Sequence, residues 1–237
     1  MAKKEIELEL EKYNDDLFCS YGEEAKYMVK KNWKHYLGYF LEYFARYIKK
    51  DNSKTFLLDI GCGGGLISKE LAERGFQIYG VDFSSKAIKF AQQQNPEINF
   101  QRSSIYELPF SNGTIDIIIC LGVFQTVIHP ERALIEMTRV LKKGGILIVR
   151  TLNALSLSEA KKNNPWFNFY NPFLFKREME KIGLTVHRPR GIYFFPKRLD
   201  FLVGLIVKIK LYKILNFLFF PIFAFFAHSF YIEGRKK

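Results

Sequence analysis

The segment DIGCGGG at 59–65 sets Asp59 two residues ahead of a glycine series, Gly61, Gly63, Gly64 and Gly65. Glycine gives no side chain to a core and is costly to order, so such a series marks a sharp turn or a close approach to the backbone. Between a strand and a helix, a turn of this kind lets a ligand lie against bare backbone at a helix N-terminus. The spacing is D-x-G-x-G-x-G. Gly61 and Gly63 fit the dinucleotide fingerprint G-x-G-x-x-G, but Leu66 stands where its third glycine belongs. By itself the segment is weak evidence, since any tight strand-to-helix turn can use glycine. A second acid, Asp82, closes the next apolar run, where a carboxylate can accept hydrogen bonds from a ribose diol. Cys19, Cys62 and Cys120 have no metal-ligand spacing, so no metal site is expected and reduced thiols are the plain reading.

These residues need elements to position them. TFLLDI reads as a buried strand entering the glycine turn, and Leu66, Ile67 and Leu71 begin a helix that Gly75 stops. QIYGVD is a second strand carrying Asp82, Ser84 an N-cap for a helix through Gln94, and INFQ a third strand. IDIIICLG is a continuous apolar run of the kind covered on both faces in a parallel sheet. Pro130 opens the next helix, its buried stripe being Ala133, Leu134, Met137, Val140 and Leu141; KKGG ends it and ILIVRT is a fifth strand. The alternation predicts an α/β fold with a doubly wound, mostly parallel sheet.

With these motifs in order, the stretch from about Lys54 to Arg150 resembles the class I S-adenosylmethionine (SAM)-dependent methyltransferases. Within them it is similar to the group of ubiquinone and menaquinone biosynthesis enzymes, methyltransferase type 11. The segments that carry the likeness are DIGCGGG, Asp82, LPFSNGTIDIII and ALIEMTRVLKKGGILIV. The resemblance implies a Rossmann-like, seven-stranded sheet with SAM as cofactor. It also implies a cofactor site: Gly61, Cys62, Gly63 and Gly65 along the methionine moiety, Asp59 facing its ammonium group, Asp82 on the ribose and Phe83 against the adenine. Ser104, Ile105 and Leu121 complete that set.

Two departures from the family pattern stand out. Ser103-Ser104 replaces the Gly-Asp pair whose acid lies near the adenine amino group; a serine hydroxyl can still accept a hydrogen bond. After the fourth strand, Gln125 and Thr126 stand where Glu-His is common, and His129 where the family has Asp. His129 is therefore the one candidate catalytic residue, readable also as the neighbour of the Pro130 helix start. No Asn/Asp-Pro-Pro-Tyr segment marks an amine methylase of nucleic-acid bases. The implied activity is methyl transfer to oxygen or carbon of a hydrophobic small-molecule or lipid-linked acceptor. An RNA or protein acceptor, or a non-catalytic SAM-binding module, stay as alternatives.

The chain reads as one domain: a helical cap at 1–53, the cofactor core at 54–151, a substrate-side segment at 152–198, an apolar insertion at 199–227, and a last strand with basic tail at 228–237. The substrate-side segment holds Trp166, Phe167, Phe169, Tyr170, Phe173 and Phe175, either an aromatic wall for an apolar substrate or an ordinary packed loop. The insertion is expected to be helical. ILNFLFFPIFAFFA at 214–227 carries no charge, and Lys208, Lys210 and Lys213 lie just upstream. That suits a segment lying in a membrane interface, with core packing, a homodimer contact or a true span as alternatives. The net charge is +12, and 197–237 contribute eight basic residues against two acids. A basic balance suits an anionic membrane surface or nucleic acid; nucleic acid is the less favoured partner. The charged amino terminus, MAKKEIELELEKYNDD, is unlike a signal peptide, so the expected place is the cytoplasm, at the inner face of its membrane if the insertion docks there.

Overall fold

Five apolar runs and three C-terminal ones form the strands β1 (Phe56–Ile60), β2 (Gln77–Asp82), β3 (Asn99–Arg102), β4 (Ile115–Leu121), β5 (Leu141–Leu152), β6 (Leu184–Val186), β7 (Arg190–Tyr193) and β8 (Ala227–Lys236). Between them lie the helices α1 (Trp33–Phe44), α2 (Leu66–Ala72), α3 (Ser85–Gln94), α4 (Pro130–Val140) and α5 (Pro172–Lys181). The computed structural model describes residues 33–49, 51–156, 167–193 and 227–237. The strands join one sheet in the order β3-β2-β1-β4-β5-β8-β6, with β7 paired to β8 off that path. This is the mixed, Rossmann-like α/β class. The expected sheet of seven strands has eight among the described residues, the extra one being the short β7 against β8.

The chain divides within β4 into two compact units, residues 1–117 and 118–237. In the first, β1 runs parallel to β2 and β2 to β3. Leu57, Leu58 and Ile60 are buried, as are Ile67 and Leu71 of α2 and Ala87, Ile88 and Ala91 of α3. Ser84 caps α3 by accepting from the Ala87 N–H at 3.1 Å, and Gly75 (φ 86) stands beyond the end of α2. The expected helical cap at 1–53 is, among described residues, α1 followed by a short 3-10 turn at Ala45–Tyr47. Phe40 and Phe44 are its buried face, and the Phe44 ring meets Phe76 edge-on at 5.6 Å. Residues 1–32 of that cap lie outside the described residues, as do Trp166 and residues 199–226 of the apolar insertion.

In the second unit, β8 lies antiparallel to β5, from Ile146↔Arg235 to Leu152↔Ser229. It starts one residue earlier than expected, at Ala227, and takes Gly234 under Met179 and Leu184, where a Cβ would sit 3.0 Å from a side-chain carbon of each. Pro130 and Pro172 occupy first-turn positions of α4 and α5, and the Asn171 side chain caps α5 by accepting from Phe173 N and Leu174 N. The KKGG segment, expected to end a helix, belongs to β5. Leu141 is fully buried and extended (φ −71, ψ 134), so α4 stops at Val140 and the strand begins at once. Lys236 closes the helix end, its Nζ donating to the carbonyls of Thr138 (2.6 Å) and Leu141 (2.8 Å).

Candidate cofactor site

β1 delivers Asp59 and the chain then turns through Gly61 (φ 72), Gly63 (φ 51) and Gly65 (φ 78), all in the left-handed region. The turn is held to β2: Gly61 N and Cys62 N donate to the Val81 carbonyl at 2.7 and 3.1 Å, and Gly65 N to the Cys62 carbonyl at 2.9 Å. The glycines have different reasons to be there. A Cβ on Gly65 would lie 2.7 Å from Phe100 Cζ and 3.2 Å from Ala91 Cβ, so the chain's own packing requires that glycine. A Cβ on Gly63 would meet nothing within 4 Å. Gly63 is the open position of the turn.

Asp59 is buried, and its Oδ2 accepts from Ser68 Oγ at 2.6 Å. Burial pushes its carboxyl up to about 7; the Ser68 hydrogen bond opposes the rise, and the charge of Asp82 adds to it. The site thus holds an acid whose ionised form is costly until a cation comes beside it. Burial also pushes the Cys62 thiol up, with Asp59 and Asp82 adding, so it stays a neutral side chain whose Sγ lies 3.8 Å from the Gly63 carbonyl. Asp82, at the end of β2, spends one oxygen on each of two backbone N–H groups: Oδ2 accepts from Gly63 and Oδ1 from Ser84, both at 2.9 Å. A carboxylate oxygen can accept more than one hydrogen bond. Phe83 and Ile105 are half-buried. Ser104 Oγ accepts from the Tyr106 N–H at 3.2 Å, a turn within its own loop.

In the second unit Leu121 is half-buried at the end of β4, and the next residue, Gly122 (φ 79), donates its N–H to the Arg150 carbonyl at 2.9 Å. His129 is the N-cap residue of α4, without a side-chain capping bond; its ring is 54% exposed and Nδ1 lies 3.7 Å from Glu131 Oε1. That is the helix-start reading. Gln125 and Thr126 lie in a 3-10 turn, where the Thr126 hydroxyl donates to the Val123 carbonyl at 2.9 Å. Of the aromatic set, Tyr170 and Phe175 pack around Phe124, with the Tyr170 hydroxyl donating to the Phe124 carbonyl at 2.9 Å. Phe173 is exposed, while Phe167 and Phe169 are half-buried. Two residues with no sequence signal join the site: Ser68, in the first turn of α2, and Arg102, whose guanidinium lies over the Phe83 ring. Among the described residues no group of three or more His, Cys, Asp or Glu is arranged to hold a metal.

A family model described as a methyltransferase domain matches residues 58–149. The ubiquinone biosynthesis O-methyltransferase of Caulobacter sp. (strain K31) is 31% identical over 176 residues, covering 64% of this chain and 70% of that protein. The chain belongs to the SAM-dependent methyltransferase family. The protein of the same name from Rickettsia canadensis is 32% identical over 143 residues, covering 59% of this methyltransferase and 55% of that one. The chain spans about half the length of the first curated relatives it matches. Among solved structures, a SAM-dependent methyltransferase from Archaeoglobus fulgidus superposes with a TM-score of 0.61 at 18% identity, over 84% of this chain and 94% of that one. The YcgJ protein of Bacillus subtilis does so with 0.60 at 18%, over 86% and 99%. These likenesses establish the fold. The residues present fit the family's cofactor, since the buried Asp59 suits its ammonium group and the bare Gly63 backbone suits close approach.

Proposed function

We propose that this methyltransferase moves a methyl group from SAM to an oxygen or carbon of a hydrophobic small-molecule or lipid-linked acceptor. The observation that carries the reading is the buried Asp59 carboxylate one turn from the open Gly63 backbone. The printed name of the relatives, an O-methyltransferase of ubiquinone biosynthesis, supports oxygen as the atom and a lipid-linked ring as the kind of acceptor. Asp59 would neutralise the cofactor's ammonium group, Asp82 would take the ribose diol, and Phe83 would lie under the purine, with Ser104, Ile105 and Leu121 around it. When bound, SAM supplies a methyl group already activated on a sulfonium. What remains for the chain is positioning, which alone accounts for much of the acceleration of a bimolecular step. With Gln125 and Thr126 in place of Glu-His and His129 at an exposed helix start, the acceptor suited to this site is one that ionises readily, a phenol, carboxylate or enolate.

Support for a membrane-facing acceptor comes from the sequence of 199–227, whose uncharged run follows three lysines. Peripheral contact at the inner face of the cytoplasmic membrane, and self-association as a homodimer, belong to this proposal. Calorimetry with SAM and with S-adenosylhomocysteine tests the cofactor; folded protein that binds neither would end the reading. Transfer of labelled methyl from SAM into a cell extract then tests the acceptor. Label in the lipid phase is the expected result. Label in RNA or protein would overturn the acceptor class, and no transfer at all would leave a SAM-binding module.

A further inference from the structure

The purine end of the site lacks the acid the family uses there. Ser103 and Ser104 replace it, and both hydroxyls are engaged by their own loop: Ser103 donates to the Glu107 carbonyl at 3.0 Å and Ser104 accepts from the Tyr106 N–H at 3.2 Å. Neither offers an ionised acceptor to a purine amino group. Stacking on Phe83 must therefore supply more of the binding. A phenyl ring on a turn is a poor platform unless something fixes its plane.

Arg102 is placed to do so. It ends β3 in register with Asp82 at the end of β2, which brings its side chain beside the turn that carries Phe83. Its Nε donates to the Phe83 carbonyl at 3.2 Å, and its guanidinium carbon lies 5.4 Å from the centroid of the Phe83 ring. A planar guanidinium both stacks on an aromatic face and is attracted by it, which a lysine ammonium does less well. The side chain is exposed, so burial in the core does not explain its orientation.

We infer that Arg102 is a positioning residue for the cofactor's purine: it braces one face of Phe83 and leaves the other as the purine platform. The inference rests on the assignment of Phe83 to the purine. Calorimetry with S-adenosylhomocysteine on wild type, Arg102→Ala, Arg102→Lys, Phe83→Ala and the Arg102→Ala/Phe83→Ala double variant tests it. Arg102→Ala should raise Kd about fivefold, in line with a partly exposed cation–π contact. Arg102→Lys should recover only part of that loss. In the Phe83→Ala background, Arg102→Ala should have no further effect, because the ring it braces is gone. The melting temperature of the cofactor-free Arg102→Ala protein should stay within about 1 °C of wild type, as for other exposed substitutions. An unchanged Kd in Arg102→Ala, or the same loss in both backgrounds, overturns the inference while wild-type binding keeps the cofactor assignment. Wild-type protein that binds no S-adenosylhomocysteine overturns both.

Discussion

Asp59 connects the cofactor site to pH. Its ordinary value is 3.8 and burial in the fold takes it to about 7. Between those values the folded, cofactor-free protein holds a proton that the unfolded chain has released, so stability falls as pH rises from about 4 to about 7. The limiting slope is about 1.4 kcal/mol per pH unit. Asp59→Asn keeps an acceptor for the Ser68 hydroxyl but cannot ionise. Thermal melts of that variant should be flatter over the window and higher than wild type at pH 8. An ammonium group beside Asp59 favours the ionised form, so cofactor affinity should rise with pH through 7 and binding should release a proton. A wild-type slope in the Asp59→Asn protein would show that another group titrates. Gly63 is the complementary case, where room and not charge is at stake. Gly63→Val fills the open approach and forces a β-branched residue into φ 51, costing about 1–2 kcal/mol of stability. The variant should still fold, and calorimetry should detect no SAM binding. Wild-type affinity in it would move the methionine moiety away from this turn.

At the scale of elements, the packing of α3 and β3 against the glycine turn centres on one ring. Phe100 pairs with Gly80 across β2 and β3, and a Cβ on Gly80 would lie 2.4 Å from the ring; the same ring lies 2.7 Å from a Cβ built on Gly65. Gly80→Ala should therefore destabilise the protein by about 1–3 kcal/mol through overpacking, with denaturant melts as the measure. Phe100→Leu, which withdraws the ring, should offset part of that loss in the double variant; strict additivity of the two would argue against a clash. This contact shows where sequence reading reaches its limit. The Ser84 cap, Pro130 at the start of α4 and the strand-turn-helix around Asp59 were legible because each depends on residues a few positions apart. The reason for Gly65 was not, because it arises from a ring 35 positions on, brought back by sheet register. Ser68 was hidden likewise, since nothing in its neighbours marks a serine that will meet a buried acid. KKGG falls within β5 because the chain is already extended at the buried Leu141, while Gly144 keeps the left-handed φ of a turn residue (76°).

For the molecule as a whole, the question is what its +12 charge meets. Two basic residues near the C-terminus are used inside the second unit: Lys236 on the carbonyls that end α4, and Arg235 on the Gly144 carbonyl at 2.8 Å. Lys208, Lys210 and Lys213 differ in lying next to the uncharged run 214–227. Among the described residues no helix is long and apolar enough to cross a membrane. Apolar side chains beside lysines suit peripheral docking: the apolar area supplies insertion energy and each nearby lysine adds about 1 kcal/mol on an anionic surface. The protein should sediment with vesicles containing phosphatidylglycerol and much less with neutral ones, and high salt should release part of it. Replacing the three lysines by glutamine should lower binding to anionic vesicles while leaving SAM affinity unchanged. Carbonate washing should release nearly all of the bound protein; retention in the pellet would mean a spanning segment. If the protein never sediments with either vesicle, the apolar residues of 199–227 are covered by this chain or by a second copy, and the acceptor must reach the site from solution.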